Sequence, residues 1–236
     1  MSPPSARGAA ARTTFESRPL PKEVLAPVAA PSLARRSAPR AATIARDVLD
    51  RATALALVTA LSPLFLALVA VVRLSSPGSA FFRQRRAGRD GQPFEMLKFR
   101  SMHDGSHHLE DSLAGSGPFF KVREDSRVTA IGRVLRRTSL DELPQLLNVV
   151  RGEMSLVGPR PLMLREHREL PEHVRAWRFA VRPGITGLWQ VSGRSNTTDA
   201  SRLRLDRVYV ENAALALDAA ILLRTPAAVL RAEGAV

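Results

Sequence analysis

Cysteine is absent from the 236 residues, which excludes disulfides, thiol catalysis and zinc sites of the cysteine type, and is compatible with a reducing compartment. Lysine is nearly absent: Lys22, Lys98 and Lys121 are the whole set, so the basic residues are almost all arginine. Acidic residues are also scarce, 22 against 35 basic ones, and the formal net charge is +13. The partner of such a chain is anionic, but charge alone does not choose among nucleic acid, anionic lipid and phosphorylated small molecules. Arginine's planar fork grips phosphate with two hydrogen bonds, which favours phosphate recognition. GC-rich coding explains the same bias equally well. The length suits one compact domain with appendages.

Residues 1 to 42 are rich in Pro, Ala, Ser and Arg, lack apolar periodicity, and read as a disordered basic tail. A signal peptide is not expected, because the apolar stretch begins far from the N-terminus. A transit peptide fits the composition but is the weaker reading. Between Arg51 and Arg73 lie 21 uncharged residues, ATALALVTALSPLFLALVAVV. As a helix they would reach roughly 30 Å, about one bilayer core. Ser62 and Pro63 sit at the midpoint, where proline removes an amide donor and clashes with the preceding turn. Arginines flank both ends, Arg35, Arg36, Arg40 and Arg46 before the run and Arg73, Arg83, Arg85, Arg86 and Arg89 after it. Both ends therefore carry the cytoplasmic charge signature. A helix–break–helix over residues 43–77 that enters and leaves one leaflet satisfies both flanks, with Ser62 suited to bond a freed carbonyl. An ordinary kinked transmembrane helix is the alternative.

Residues 78–236 read as a soluble, mixed domain facing the cytoplasm. Short apolar runs separated by Gly-containing turns over residues 77–102 predict a basic β-hairpin near the membrane. Residues 103 to 118 read as a loop, and helical patterns resume from about residue 139. From Arg202 to Arg231 leucines recur among charged residues, with Pro226 expected to break the pattern. Such helices pack in a core or lie in the bilayer interface. The fold class expected is α+β and helix-dominated: a monotopic membrane protein with a re-entrant broken helix, a small hairpin and interfacial amphipathic helices.

Chemistry concentrates in TSLDELPQLLNVVRGEMSLVGPRPL, residues 138–162, where Asp141 and Glu142 are adjacent carboxylates among Arg133, Arg136, Arg137, Arg151 and Arg160. Ser139 followed three residues later by Glu142 matches a helix capping box, with Asp141 complementing the helix dipole. A helix start of that kind can also bind phosphate. The functional reading is covalent catalysis: a carboxylate attacks phosphorus while arginines or a metal neutralise the phosphate oxygens. A second carboxylate can hold Mg2+, which takes oxygen ligands and bridges phosphates. His103, His107, His108, Glu110 and Asp111 have metal-like spacing but sit in a Gly-rich loop without a framework and read as solvated. Trp177 and Trp189 read as packing residues, with stacking on uracil or sugar the alternative for Trp189.

At these residues the chain resembles the bacterial sugar transferase family, the monotopic polyprenyl-phosphate phosphoglycosyl transferases. The resemblance covers roughly residues 44 to 230. It is carried by the Ser62–Pro63 break, SSPGSAFFRQRRAGRDGQPFEMLKFRSM, the 138–162 block, RPGITGLWQVSGR at 182–194 and LDRVYVEN at 205–212. It implies that Asp141 attacks the β-phosphorus of a UDP-sugar, expelling UMP, and that polyprenyl phosphate (undecaprenyl phosphate) then takes the sugar phosphate. Glu142 is implied to assist through Mg2+ or as an acid–base group. Lys98, Arg100, Arg133, Arg136, Arg160, Arg194 and Asp206 fall where the family builds its active-site rim and are implied to bind substrate or phosphate. The implied setting is the bacterial inner membrane, with membrane lipid as partner, no nucleic acid, and a homo-oligomer compatible with the pattern. Three departures stand out: Ser79 replaces the last proline of SPGP, Ser126 the proline of DPR, and Ala213 and Ala214 the usual Trp–Ser. The rival reading is a membrane-tethered basic module that binds nucleic acid or anionic lipid and catalyses nothing. It accounts for the charge and the tail but not for the carboxylate pair inside a long motif block.

Overall fold

The computed structural model describes residues 40–106, 127–192 and 199–230. Helix dominates and strand is scarce, in line with the helix-dominated α+β expectation. Helices α1 (Arg40–Ala60) and α2 (Ser62–Ser75) meet at Leu61 with a bend of 65°. The bend has a local cause. Pro63 has no N–H, so the Thr59 carbonyl four residues back loses its helical donor. The Ser62 hydroxyl takes over, donating to that carbonyl at 2.8 Å. Among the described residues no single helix is long and apolar enough to cross a membrane, while the bent pair taken together has the length and composition to do so. Its far side is strongly apolar and exposed, with Leu66 at 71% and Leu74 at 87%.

The first half of α1 is instead charged and pinned to the rest of the protein. Arg46 donates to the Tyr209 hydroxyl and pairs with Asp218 at 2.9 Å. Asp47 pairs with Arg182, and the Ser155 hydroxyl donates to Asp50. Ala54 and Val58 then continue the contact onto the main core, which includes Met96, Leu146, Val149, Met154 and Tyr209.

Strands β1 (Phe81–Ala87) and β2 (Pro93–Phe99) form the expected hairpin, antiparallel with Phe82 opposite Lys98 and Gln84 opposite Met96. Asp90 at φ 55° and Gly91 at φ 73° turn the chain between them. Strand alternation puts Arg83 and Arg85 on the exposed face, and turns Phe82, Gln84, Arg86, Met96 and Lys98 toward a cleft. Helix α3 (Ala130–Thr138) begins well before residue 139, where helix was expected to resume. Thr129 caps it by accepting from the Gly132 N–H at 2.8 Å. Gly132 is required there, since a Cβ would lie 1.9 Å from the Ser101 carbonyl oxygen. Its arginines hid an apolar face of only Ile131 and Leu135, which is why the periodicity did not register.

Next come a 3-10 turn (Leu140–Glu142) and α4 (Gln145–Arg151). Strand β3 (Ser155–Val157) pairs in parallel with β5 (Gly184–Thr186), while β4 (Leu162–Met163) joins the free edge of β1. The remaining helices are α5 (Leu164–Glu169), α6 (Glu172–Arg178), α7 (Leu188–Val191), α8 (Asp199–Glu211) and α9 (Leu215–Leu230). Contrary to expectation Pro226 does not break the last helix, which runs through it. The Thr225 hydroxyl donates to the Ile221 carbonyl and meets the Thr186 hydroxyl, both at 2.9 Å, tying the proline turn to β5.

Candidate active site

Asp141 reaches its position through an unusual backbone step. Helix α3 ends at Ser139, which adopts the left-handed conformation at φ 56° and donates its N–H to the Arg136 carbonyl. The chain reverses there into the 3-10 turn that carries Asp141 and Glu142. Ser139 makes no side-chain cap, so the capping-box expectation is corrected: Ser139 closes the preceding helix and α4 starts only after Pro144. A Ser-x-x-Glu spacing reads the same whether it ends one helix or begins another. Left-handed backbone costs a non-glycine residue about 1–2 kcal/mol. Ser139→Gly should therefore hold or raise stability, while Ser139→Val should lower it by about 1–2 kcal/mol in thermal denaturation.

The turn buries Asp141 at 7% exposure and leaves Glu142 more open. Lys98, projecting from β2, bridges the two: its Nζ lies 2.7 Å from Glu142 Oε1 and 3.9 Å from Asp141 Oδ2. Arg136 donates from Nε to Ser101 Oγ at 2.9 Å and lines the same cleft. That cleft has a volume of about 670 Å3 and also takes in Arg160, Trp189 and Arg202. Burial pushes the Asp141 carboxyl up to about 6, with Glu142 adding to the rise and Lys98 and Arg136 opposing it. A buried carboxylate that still ionises near neutrality, surrounded by cations, is suited to attack an electrophile.

Among the described residues no third His, Cys, Asp or Glu joins Asp141 and Glu142 in a cluster. Mg2+ is commonly held by one or two carboxylates completed by substrate phosphates and water. Asp141 and Glu142 fit that habit, and do not fit an all-protein metal cage.

The other expected residues separate into groups. Lys98, Arg136 and Arg160 line the cleft with the carboxylate pair. Arg100 also reaches its wall, but its guanidinium donates to the carbonyls of Val72, Ser76 and Pro77 and so clamps the end of α2. Arg133 is exposed on α3 and does not line the cleft. Asp206 is corrected from rim to interior. It is 3% exposed and accepts from Arg178 Nε at 3.0 Å and Nη2 at 2.8 Å. Arg178 in turn donates to the Arg160 carbonyl at 2.9 Å, so Asp206 acts behind the cleft, on the backbone that presents Arg160. Arg194, His107, His108, Glu110 and Asp111 lie outside the described residues, and His103 is exposed. Trp189 is buried at the cleft with the Arg202 guanidinium 5.3 Å from its ring, a cation–π arrangement, while Trp177 packs near Leu170 and Phe179.

Gln84, Arg86, Arg165 and Arg202 also line the cleft and were not singled out in the sequence. Three of them had a signal: Gln84 and Arg86 alternate with exposed Arg83 and Arg85, and the strand period separates the faces once Lys98 is placed. Arg202 shares a helix face with Asp206, four residues on.

Comparison with known proteins identifies the family. The sequence profile described as "Bacterial sugar transferase" matches residues 41–232. The Exopolysaccharide production protein ExoY of Rhizobium meliloti is 44% identical over 196 residues, covering 80% of this chain and 85% of that protein. The UDP-glucose:undecaprenyl-phosphate glucose-1-phosphate transferase of Caulobacter vibrioides is 42% identical over 207 residues, 84% of this chain and 74% of that protein. The Undecaprenyl-phosphate galactose phosphotransferase of Salmonella typhimurium is 45% identical over 166 residues, 67% of this chain and 35% of that longer protein. With a match that runs from the bent helix pair through the carboxylate turn to the last helix, this chain belongs to the bacterial sugar transferase family.

Proposed function

We propose that the protein transfers a sugar 1-phosphate from a UDP-sugar to polyprenyl phosphate at the cytoplasmic face of the bacterial inner membrane, as the first step of assembling a surface glycan. The observation that carries this reading is Asp141 itself, buried at a cleft lined by Lys98, Arg136 and Arg160. The names of the relatives from Caulobacter and Salmonella, both undecaprenyl-phosphate sugar-phosphate transferases, support the donor and acceptor classes.

In the first step an Asp141 carboxylate oxygen bonds to the β-phosphorus, and the bond from that phosphorus to the bridging oxygen breaks, releasing UMP. In the second, a phosphate oxygen of the acceptor bonds to the same phosphorus, and the acyl phosphate bond to Asp141 breaks. The products are polyprenyl diphosphosugar and a regenerated carboxylate. Lys98 holds Glu142 to one side of the nucleophile, and with Arg136 it offsets the charge gathering on the transferring phosphoryl group. Asp141 and Glu142 would hold Mg2+ alongside the diphosphate, whose negative charge the ion neutralises when bound. The bent, apolar helix pair is read as the re-entrant anchor that keeps the cleft at the lipid surface.

The pH dependence follows from the Asp141 shift. Attack needs the ionised form, which burial disfavours and a bound Mg2+ would favour, so UMP release rises with pH and levels off once Asp141 has ionised, at or below about 6 with Mg2+ present. Lys98→Met removes the cation that opposes the rise, so its profile should move to higher pH. An unmoved profile in that variant would contradict the assignment.

The reading is tested by UMP release from a panel of UDP-sugars with undecaprenyl phosphate and Mg2+, using protein in nanodiscs. Release from at least one donor is expected. Folded, membrane-bound protein that releases UMP from none of them would favour the basic module, which predicts steeply salt-dependent binding to DNA or anionic vesicles and indifference to Asp141→Asn.

A further inference from the structure

The residues lining the cleft are of two chemical kinds. One set is Lys98, Arg136, Asp141 and Arg160. The other is Leu57 from α1, Leu61 at the bend, and Leu222, Thr225 and Val229 from α9. The Thr225 hydroxyl is already bonded to Thr186 and to the Ile221 carbonyl, so this wall offers little polar chemistry.

Helices α1 and α9 are joined by the Arg46–Asp218 pair, and the Tyr209 hydroxyl bonds to both partners. Along each helix the cleft-lining residues lie beyond the tie: Leu57 is eleven residues past Arg46, and Leu222 and Val229 are four and eleven past Asp218, about 6 to 16 Å of helix, so that the two stretches line the one cleft as the sides of a seam. Leu57 and Leu222 are each 39% exposed while lining the cleft, so the seam opens outward as well as inward. Its outer neighbours Leu223 and Leu230 are among the most exposed apolar side chains described. A UDP-sugar has no long hydrocarbon to place against such a wall. A ligand with a phosphate head and a long hydrocarbon tail matches both sets of residues.

We propose that the α1–α9 seam is the binding site and entry portal of the acceptor's prenyl chain, with Leu57, Leu61, Leu222 and Val229 against the isoprene units nearest the phosphate. The assignment rests on the transfer reaction proposed above, and deepens it by separating the two substrates: the lipid enters laterally through the seam, the nucleotide sugar from the charged side.

The half-reactions make this testable. With UDP-sugar alone, one burst of UMP reports the donor step, which needs no acceptor. Leu57→Trp combined with Leu222→Trp narrows the seam at two half-exposed positions. The burst should persist, while KM for undecaprenyl phosphate should rise roughly tenfold, the equivalent of about two methylene groups left unburied. A short-chain prenyl phosphate should be affected less. An unchanged KM for the long acceptor, or a burst lost in parallel with the acceptor step, would overturn the seam.

A second measurement does not depend on turnover. A photoreactive prenyl phosphate should label peptides carrying Leu57 and Leu222 in the wild-type protein, and undecaprenyl phosphate should compete where phosphatidylglycerol does not. Label elsewhere, or equal competition by phosphatidylglycerol, would assign the seam to bulk lipid. A wild-type protein that is labelled at the seam yet releases no UMP would count against the transfer reaction and leave the seam standing.

Discussion

Asp141→Asn should abolish transfer, by about 10^4-fold or more, and at the same time stabilise the protein above pH 6. The loss follows from removing the carboxylate that the proposed reaction uses as its nucleophile. The gain in stability follows from the same burial that makes Asp141 useful. Its carboxyl titrates near 6 in the folded protein against an ordinary value of 3.8, so the folded state binds a proton that the unfolded chain releases earlier. Stability contributed at this position is whole below about pH 4, falls as pH rises through the interval, and is lost above about pH 6. Two pKa units correspond to about 2–3 kcal/mol. Asparagine keeps the shape without the charge, so urea denaturation should show the variant level with wild type near pH 4 and more stable by an amount of that order at pH 7.5. A variant less stable at every pH would make Asp141 a structural residue.

Asp206→Asn should be the most damaging single change to stability, costing about 3–5 kcal/mol, because it leaves the Arg178 guanidinium buried without a counterion. That is a large share of the 5–15 kcal/mol that holds a typical domain folded. Replacing the pair together, Asp206→Leu with Arg178→Met, removes both charges and should recover most of the loss. The bond from Arg178 to the Arg160 carbonyl is still missing in that double variant. It should therefore fold but show a raised KM for the UDP-sugar, as the backbone carrying Arg160 loosens. Comparison of urea midpoints and KM values across the three proteins checks both parts. A double variant as unstable as Asp206→Asn would place the cost in packing instead of charge.

The carboxylate turn and the hairpin were legible in the sequence because their signals are local. Asp141 and Glu142 stand inside a long motif, and the turn around Gly91 sits between two short apolar runs. The Ser62–Pro63 break was legible for the same reason: a proline and its hydroxyl neighbour act within one helical turn. What could not be read depends on residues far apart in the chain. Asp206 resembled a rim residue until Arg178, 28 positions away, took its carboxylate. Arg100 resembled a phosphate ligand, yet its donors are spent on the carbonyls at the end of α2, more than 20 residues earlier. Ser139 was misread because a capping pattern does not record the sign of φ, and Pro226 because side-chain bonds to Ile221 and Thr186 secure the turn around it. The apolar seam needed both α1 and α9 in place before Leu57 and Val229 became neighbours of one cleft.

The central claim is that the sugar phosphate passes through Asp141. Intact-protein and peptide mass spectrometry after mixing with a UDP-sugar, in the absence of acceptor, tests it directly. The account predicts a phosphosugar adduct on the peptide carrying Asp141, absent from Asp141→Asn and discharged by undecaprenyl phosphate. Full turnover with both substrates but no adduct at Asp141 under any quench would contradict it, and would make the reaction a direct displacement between the two bound substrates.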